Sequence, residues 1–106
     1  MNQDRISQLR LFLKEDPNDP FTKYALALEY LKIDKKESRK MFEELLKKHP
    51  DYVGTYYHAA ALYDELDERI LAEETYKKGI EVASVKGDHH ALRELKTAYM
   101  NFQFDD

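Results

Sequence analysis

A chain of 106 residues has room for one compact domain, with 42% hydrophobic residues to build its core and 36% charged residues to keep its surface in water. The net charge is −4, and the basic residues come in short pairs beside acidic ones, such as Lys35-Lys36, Lys47-Lys48 and Lys77-Lys78. Without a basic stripe to neutralise phosphate, neither nucleic acid nor an anionic membrane is expected as a partner. The absence of cysteine removes disulfides, thiolate nucleophiles and thiolate metal sites, and fits a reducing compartment. The opening MNQDRISQLR has no apolar leader-like core and no run reaches membrane-spanning length, so a cytoplasmic location is expected.

Helical periodicity runs through almost the whole chain. Ile6, Leu9, Phe12 and Leu13 recur at three- and four-residue spacing and predict an amphipathic helix that ends before Pro17. After the breaker DPNDP, Asp19 is a good N-cap and Pro20 suits the first helical turn, which predicts a second helix over 20–32. The turn IDKKE leads to a third helix marked by Ser38, Met41, Phe42, Leu45 and Leu46, and His49 ends it because the residue before Pro50 resists the α conformation. A fourth helix carries Tyr56, Ala59, Ala60 and Tyr63. The turn LDE opens a fifth with Ala72, Tyr76, Gly79, Ile80 and Ala83. Gly87-Asp88 reads as a helix stop followed by an N-cap, and the sixth helix carries Leu92, Leu95, Tyr99 and Phe102. Helices this closely connected are expected to stack as antiparallel hairpins.

The breaks are periodic. Pro17 and Pro50 lie 33 residues apart, and 34 residues further on stands Ser84. At these offsets Leu9, Phe42 and Tyr76 coincide, as do Phe12, Leu45 and Gly79, and Leu13, Leu46 and Ile80. The helices after each break also match, Tyr24 with Tyr57, Ala27 with Ala60 and Tyr30 with Tyr63. A repeat whose unit is a helix pair is the mark of an α-solenoid.

These columns resemble the tetratricopeptide repeat, whose pattern is W-x2-L-G-x2-Y, then A-x3-F, then P. In the first full repeat the places fall on Lys23, Leu26, Ala27 and Tyr30, then Ser38 and Phe42, then Pro50. In the second they fall on Tyr56, Ala59, Ala60 and Tyr63, then Ala72 and Tyr76, then Ser84. The Trp place is held by Lys23 and Tyr56, the loop of the first repeat is one residue short, and without the last proline the fifth helix is free to run to Gly87. The expected fold is an all-α superhelix, a solenoid of antiparallel helix pairs with about six helices in one domain. Its parts are a half-repeat helix over 1–17, repeats over 20–52 and 53–86, a capping helix over 88–102 and a tail over 103–106. Small residues at Ala27, Ala60 and Gly79 mark close helix approach, so Gly79→Leu is expected to overpack that contact.

In such solenoids, the resemblance implies, the first helix of each pair lines a concave face. On a helical wheel of 20–32, Leu26, Ala27 and Tyr30 face the paired helix, while Phe21, Tyr24, Leu28 and Leu31 form a second apolar stripe. That leaves Thr22, Ala25, Glu29 and Lys32 as the polar sector. The equivalent stripe is Gly54, Tyr57, Ala61 and Asp64 in the fourth helix and His90, Arg93, Thr97 and Met100 in the sixth. The candidate partner-binding surface is therefore Phe21, Tyr24, Leu28, Leu31, Tyr57, Ala61 and Arg93, suited to a peptide or helix of another protein. The alternative is that the stripe is core, packed under the N-terminal helix or the neighbouring hairpin. The Lys/Asn clamp with which some tetratricopeptide domains hold chaperone C-termini is absent, since its places read Tyr24, Leu28, His58, His90 and Glu94.

No nucleophile elbow, Gly-rich phosphate loop or HExxH motif is present, so no catalytic residue is assigned and an enzyme is not expected. Adjacent His89-His90 point about 100° apart on a helix, so no metal site and no cofactor is expected. A second reading is self-association as a homodimer, through the apolar inner face or through a terminal helix carrying Leu92, Leu95, Tyr99, Phe102 and Phe104.

Overall fold

The computed structural model describes residues 2–105, with side chains from Asp4 onward. Among the described residues there are six helices and no strand. They fall into two compact units, Met1–Tyr52 and Val53–Asp106.

The first unit holds α1 (Asn2–Glu15), α2 (Pro20–Tyr30) and α3 (Lys35–Lys48). Asp19 starts α2: its carboxylate accepts from Phe21 N at 3.3 Å and from the Thr22 hydroxyl at 2.6 Å, with Pro20 in the first turn. The helix closes at Tyr30, two residues before the expected Lys32, and Leu31 is its C-cap. The following turn is tight, because Asp34 N donates to Tyr30 O at 2.7 Å while the Asp34 carboxylate caps α3 by accepting from Glu37 N at 3.2 Å. At the other end of α3, His49 N donates to Leu45 O at 2.7 Å just ahead of Pro50.

Leu26, Ala27, Met41, Phe42 and Leu45 are buried where α2 meets α3. At the closest crossing the Ser38 hydroxyl donates to the Ala27 carbonyl at 2.7 Å, both residues being fully buried. Lys23, in the Trp place, is only 8% exposed: its aliphatic stem fills part of the volume an aromatic ring would take. Helix α1 docks on α2 through Ile6 and Leu9. Polar contacts accompany it, Arg5 to Glu29 at 3.3 Å and Arg10 to the Tyr30 hydroxyl at 2.6 Å. The sector expected to be solvated, Thr22, Ala25 and Glu29, is therefore largely covered, while Lys32 stays exposed. Phe12, in contrast, is 56% exposed. Its column partners Leu45 and Gly79 face the first helix of their own pair, and no such helix precedes α1 among the described residues.

The second unit holds α4 (Gly54–Glu65), α5 (Arg69–Lys86) and α6 (His89–Phe104). Helices α4 and α5 end in the same way. After α4, Asp67 adopts the left-handed conformation (φ 62°), Asp67 N donates to Asp64 O at 3.0 Å and Glu68 N to Tyr63 O at 2.8 Å. After α5, Gly87 does so (φ 71°), with Gly87 N to Ser84 O at 3.1 Å and Asp88 N to Ala83 O at 3.0 Å. Both are Schellman closures, one with the glycine that this backbone prefers and one without it. Asp67 also lies in the stretch that makes the second repeat one residue longer than the first.

Asp88 then caps α6, accepting from Ala91 N at 3.1 Å. The last helix runs to Phe104, so the tail expected over 103–106 begins only at Asp105 among the described residues. At the α4–α5 crossing Gly79 lies directly on Tyr56, and an added Cβ would stand 2.5 Å from that residue's Cβ. Across α5 and α6, Tyr76 packs on Phe102 with ring centroids 5.5 Å apart, and the Tyr99 hydroxyl donates to Glu73 at 2.8 Å. Arg69 joins three helix ends: its guanidinium lies over the Phe102 ring at 4.2 Å, donates to the Phe102 carbonyl at 3.1 Å and pairs with Asp64 at 3.2 Å.

Candidate functional site

In the first unit the candidate residues sit on one side of α2. Phe21 is 60% exposed, and Tyr24, Leu28 and Leu31 are half-buried, so α1 does not seal the aromatic stripe. Leu31 belongs to the C-cap rather than to the helix body. Tyr24 has a neighbour that the repeat columns do not single out: Tyr52, after α3, lies with its ring centroid 5.5 Å away at a tilt of 56°. Burial pushes the Tyr52 hydroxyl above its ordinary pKa, and the Asp19 carboxylate adds to the rise, so Tyr52 brings a neutral phenol to the ring pair.

In the second unit Tyr57 is 42% exposed, and Ala61 and Arg93 are exposed. Tyr57 and Arg93 border one cleft of about 370 Å³ between α4 and α6, whose other walls are Glu94, Thr97, Ala98 and Asn101. Ala61 is not among its lining residues. Tyr57 stands edge-on to His58, with centroids 5.3 Å apart. Burial lowers the His58 pKa, and the nearby Glu94 carboxylate works in the opposite direction. Glu94 also lies 3.5 Å from His90 Nε2, one turn back on α6. Asn101 and Ala98 were not singled out in sequence, although both follow from the stripe through Arg93 and Thr97 at helical spacing.

Among the described residues no three His, Cys, Asp or Glu side chains are grouped so as to hold a metal ion. Among them, too, no helix is long and apolar enough to cross a membrane. Of the terminal-helix residues considered for self-association, Leu95 and Phe102 are buried and Leu92 and Tyr99 half-buried within the second unit. Phe104 is exposed, and so is Met100 of the inner stripe.

Short antiparallel helix pairs with small residues at the crossings, and first-helix side chains left open to solvent, define a helix-pair repeat protein. No family model matches the chain, and no curated protein does. Solved structures do. The solution NMR structure of a tetratricopeptide repeat domain protein from Salinibacter ruber is 48% identical, with a TM-score of 0.81 over 86% of this chain and 93% of that one. A crystal structure of the tetratricopeptide repeat domain protein from the same organism is 47% identical, with a TM-score of 0.79 over 84% of this chain and all of that one (100%). The crystal structure of MamA shares the fold at 20% identity, with a TM-score of 0.69 over 96% of this chain and 67% of that one. The chain belongs to the tetratricopeptide repeat family, and its fold class is all-α.

Proposed function

We propose that this protein is a protein–protein interaction module that binds a peptide or helix of another protein through the first helices of its repeats. The supporting observation is the exposure of aromatic side chains on the first helix of each repeat, Phe21 on α2 and Tyr57 on α4, in a member of a repeat family; Tyr24, the repeat counterpart of Tyr57, is half-buried beside Phe21. Aromatic side chains left open on the first helices of successive repeats suit the anchoring of a partner. The binding set is Phe21, Tyr24, Leu28, Leu31, Tyr57, Ala61 and Arg93. A binding role rather than a catalytic one is favoured because the sequence carries no nucleophile elbow, Gly-rich phosphate loop or HExxH motif. The composition and the lack of cysteine favour the cytoplasm.

The test is affinity capture from a lysate of the source organism with wild-type protein and a Tyr24→Ala/Tyr57→Ala variant, with bound proteins identified by mass spectrometry. The variant is expected to lose the specific partner. If it retains every partner of the wild type, the assigned surface is wrong. Self-association through the inner face is separated from this reading by light scattering across a concentration series, where a strict monomer removes it.

A further inference from the structure

The cleft between α4 and α6 carries an exposed cation. Arg93 is exposed, and among the described residues no carboxylate pairs with it. The adjacent Glu94 carboxylate is directed to two histidines, 3.5 Å from His90 Nε2 and close enough to His58 to act on its charge. Beyond Arg93, Thr97 and Asn101 follow at successive turns of the same helix and line the same cleft. At a rise of ~1.5 Å per residue these three groups span about 12 Å along α6. That is the length of roughly four residues of extended chain at ~3.3 Å each. A hydroxyl and a primary amide both donate and accept, which matches the alternating N–H and C=O groups of a peptide backbone. Tyr57, on the α4 side, offers an apolar ring wall to whatever lies along that row.

We propose that this cleft takes an extended segment of a protein partner bearing an aspartate or glutamate side chain. Arg93 receives the carboxylate, Thr97 and Asn101 hold the backbone, and Tyr57 covers the apolar flank. This rests on the interaction reading above and names the chemistry of the partner. An arginine fork holds a carboxylate by two parallel hydrogen bonds, so the contact selects for an acidic side chain as well as for charge. A polyphosphate backbone fits less well, since it would meet one free cation beside Glu94 on a chain of net charge −4.

The experiment selects binders from a random dodecapeptide library on the wild-type protein, then measures the enriched peptide, carboxyl-amidated, by isothermal titration. The enriched peptides are expected to share one acidic position. Replacing that residue by its amide is expected to weaken binding about 10- to 100-fold, the usual weight of a hydrogen bond to a charged group. Arg93→Gln is expected to cost the acidic peptide a similar factor, to leave the amide peptide unaffected, and to melt like the wild type. Arg93→Lys is expected to recover only part of the loss. Enriched peptides without an acidic position, or binding indifferent to Arg93→Gln, overturn the proposal while the interaction reading stands. Binding that needs a free terminal carboxylate and disappears on amidation also overturns it. Enrichment of no peptide above background overturns both readings.

Discussion

Replacing Gly79 by alanine sets two known effects against each other. In a helix interior the substitution gains about 0.8–1 kcal/mol of backbone propensity. Against this, the new methyl would stand 2.5 Å from Tyr56 Cβ, 3.0 Å from Tyr56 Cγ and 3.3 Å from Leu95 Cδ1. Carbon atoms rest about 3.5–4.0 Å apart, so the α4–α5 contact has to open by roughly 1 Å. Tyr56 and Leu95 are both buried, and the closest atom is a Cβ fixed to the α4 backbone rather than the end of a flexible side chain. Overpacking of this kind costs about 1–3 kcal/mol, which leaves a net loss near 1 kcal/mol for alanine and a larger one for leucine. The expected readout is a lower urea midpoint at unchanged slope by far-ultraviolet circular dichroism, with a melting temperature about 4 °C lower. Should Gly79→Ala prove as stable as the wild type or more so, propensity has won and the close approach of α4 to α5 is not what holds glycine there.

Thr55→Val is expected to stabilise the fold by about 1 kcal/mol in the same assay, since the Thr55 hydroxyl is fully buried with no hydrogen-bond partner among the described residues; a destabilised variant would mean the hydroxyl is satisfied. Asp67→Gly is expected to add roughly 0.5–1 kcal/mol by relieving the left-handed backbone at φ 62°, and a loss of stability would count against that strain. His58 makes stability fall on acidification: its folded pKa lies below the ordinary 6.5, so as pH drops through that value the unfolded chain takes up the proton first. The decline continues until the lowered folded pKa is passed, and Glu94 limits its size. A His58→Gln variant should show a flatter melting temperature over this range, and an unchanged slope would place the titration elsewhere.

Helix positions and types were legible because the signals are local. Asp19-Pro20, His49-Pro50 and Gly87-Asp88 each mark a boundary through the chemistry of one or two residues. The repeat columns also identified buried side chains such as Phe42, Leu45 and Tyr76. They failed where burial depends on a neighbour instead of on register. Phe12 shares a column with Leu45 and Gly79 but has no first helix beside it among the described residues, so its place in the pattern overstates its burial. Thr22, Ala25 and Glu29 look solvated on a wheel of α2 alone, because the wheel has no knowledge of α1 and the reach of Arg5. The candidate surface was half legible for the same reason: spacing put Phe21, Tyr24 and Tyr57 on first helices, but the ring contact of Tyr52 with Tyr24 depends on where the chain turns after His49.

The Arg69 contacts bear on how this protein comes apart. Local opening of a helix begins at its last turn, where the carbonyls lack intrahelical partners. In α6 the Phe102 carbonyl accepts from Asp105 N at a long 3.3 Å and, in addition, from a guanidinium rooted at the start of α5 and tied to the end of α4. The final turn and the α4–α5 bend thus open together, as one cooperative segment instead of a fraying tip. Native-state hydrogen exchange should show the amides of the last α6 turn exchanging at the rate of that bend, and Arg69→Ala should release the tip alone.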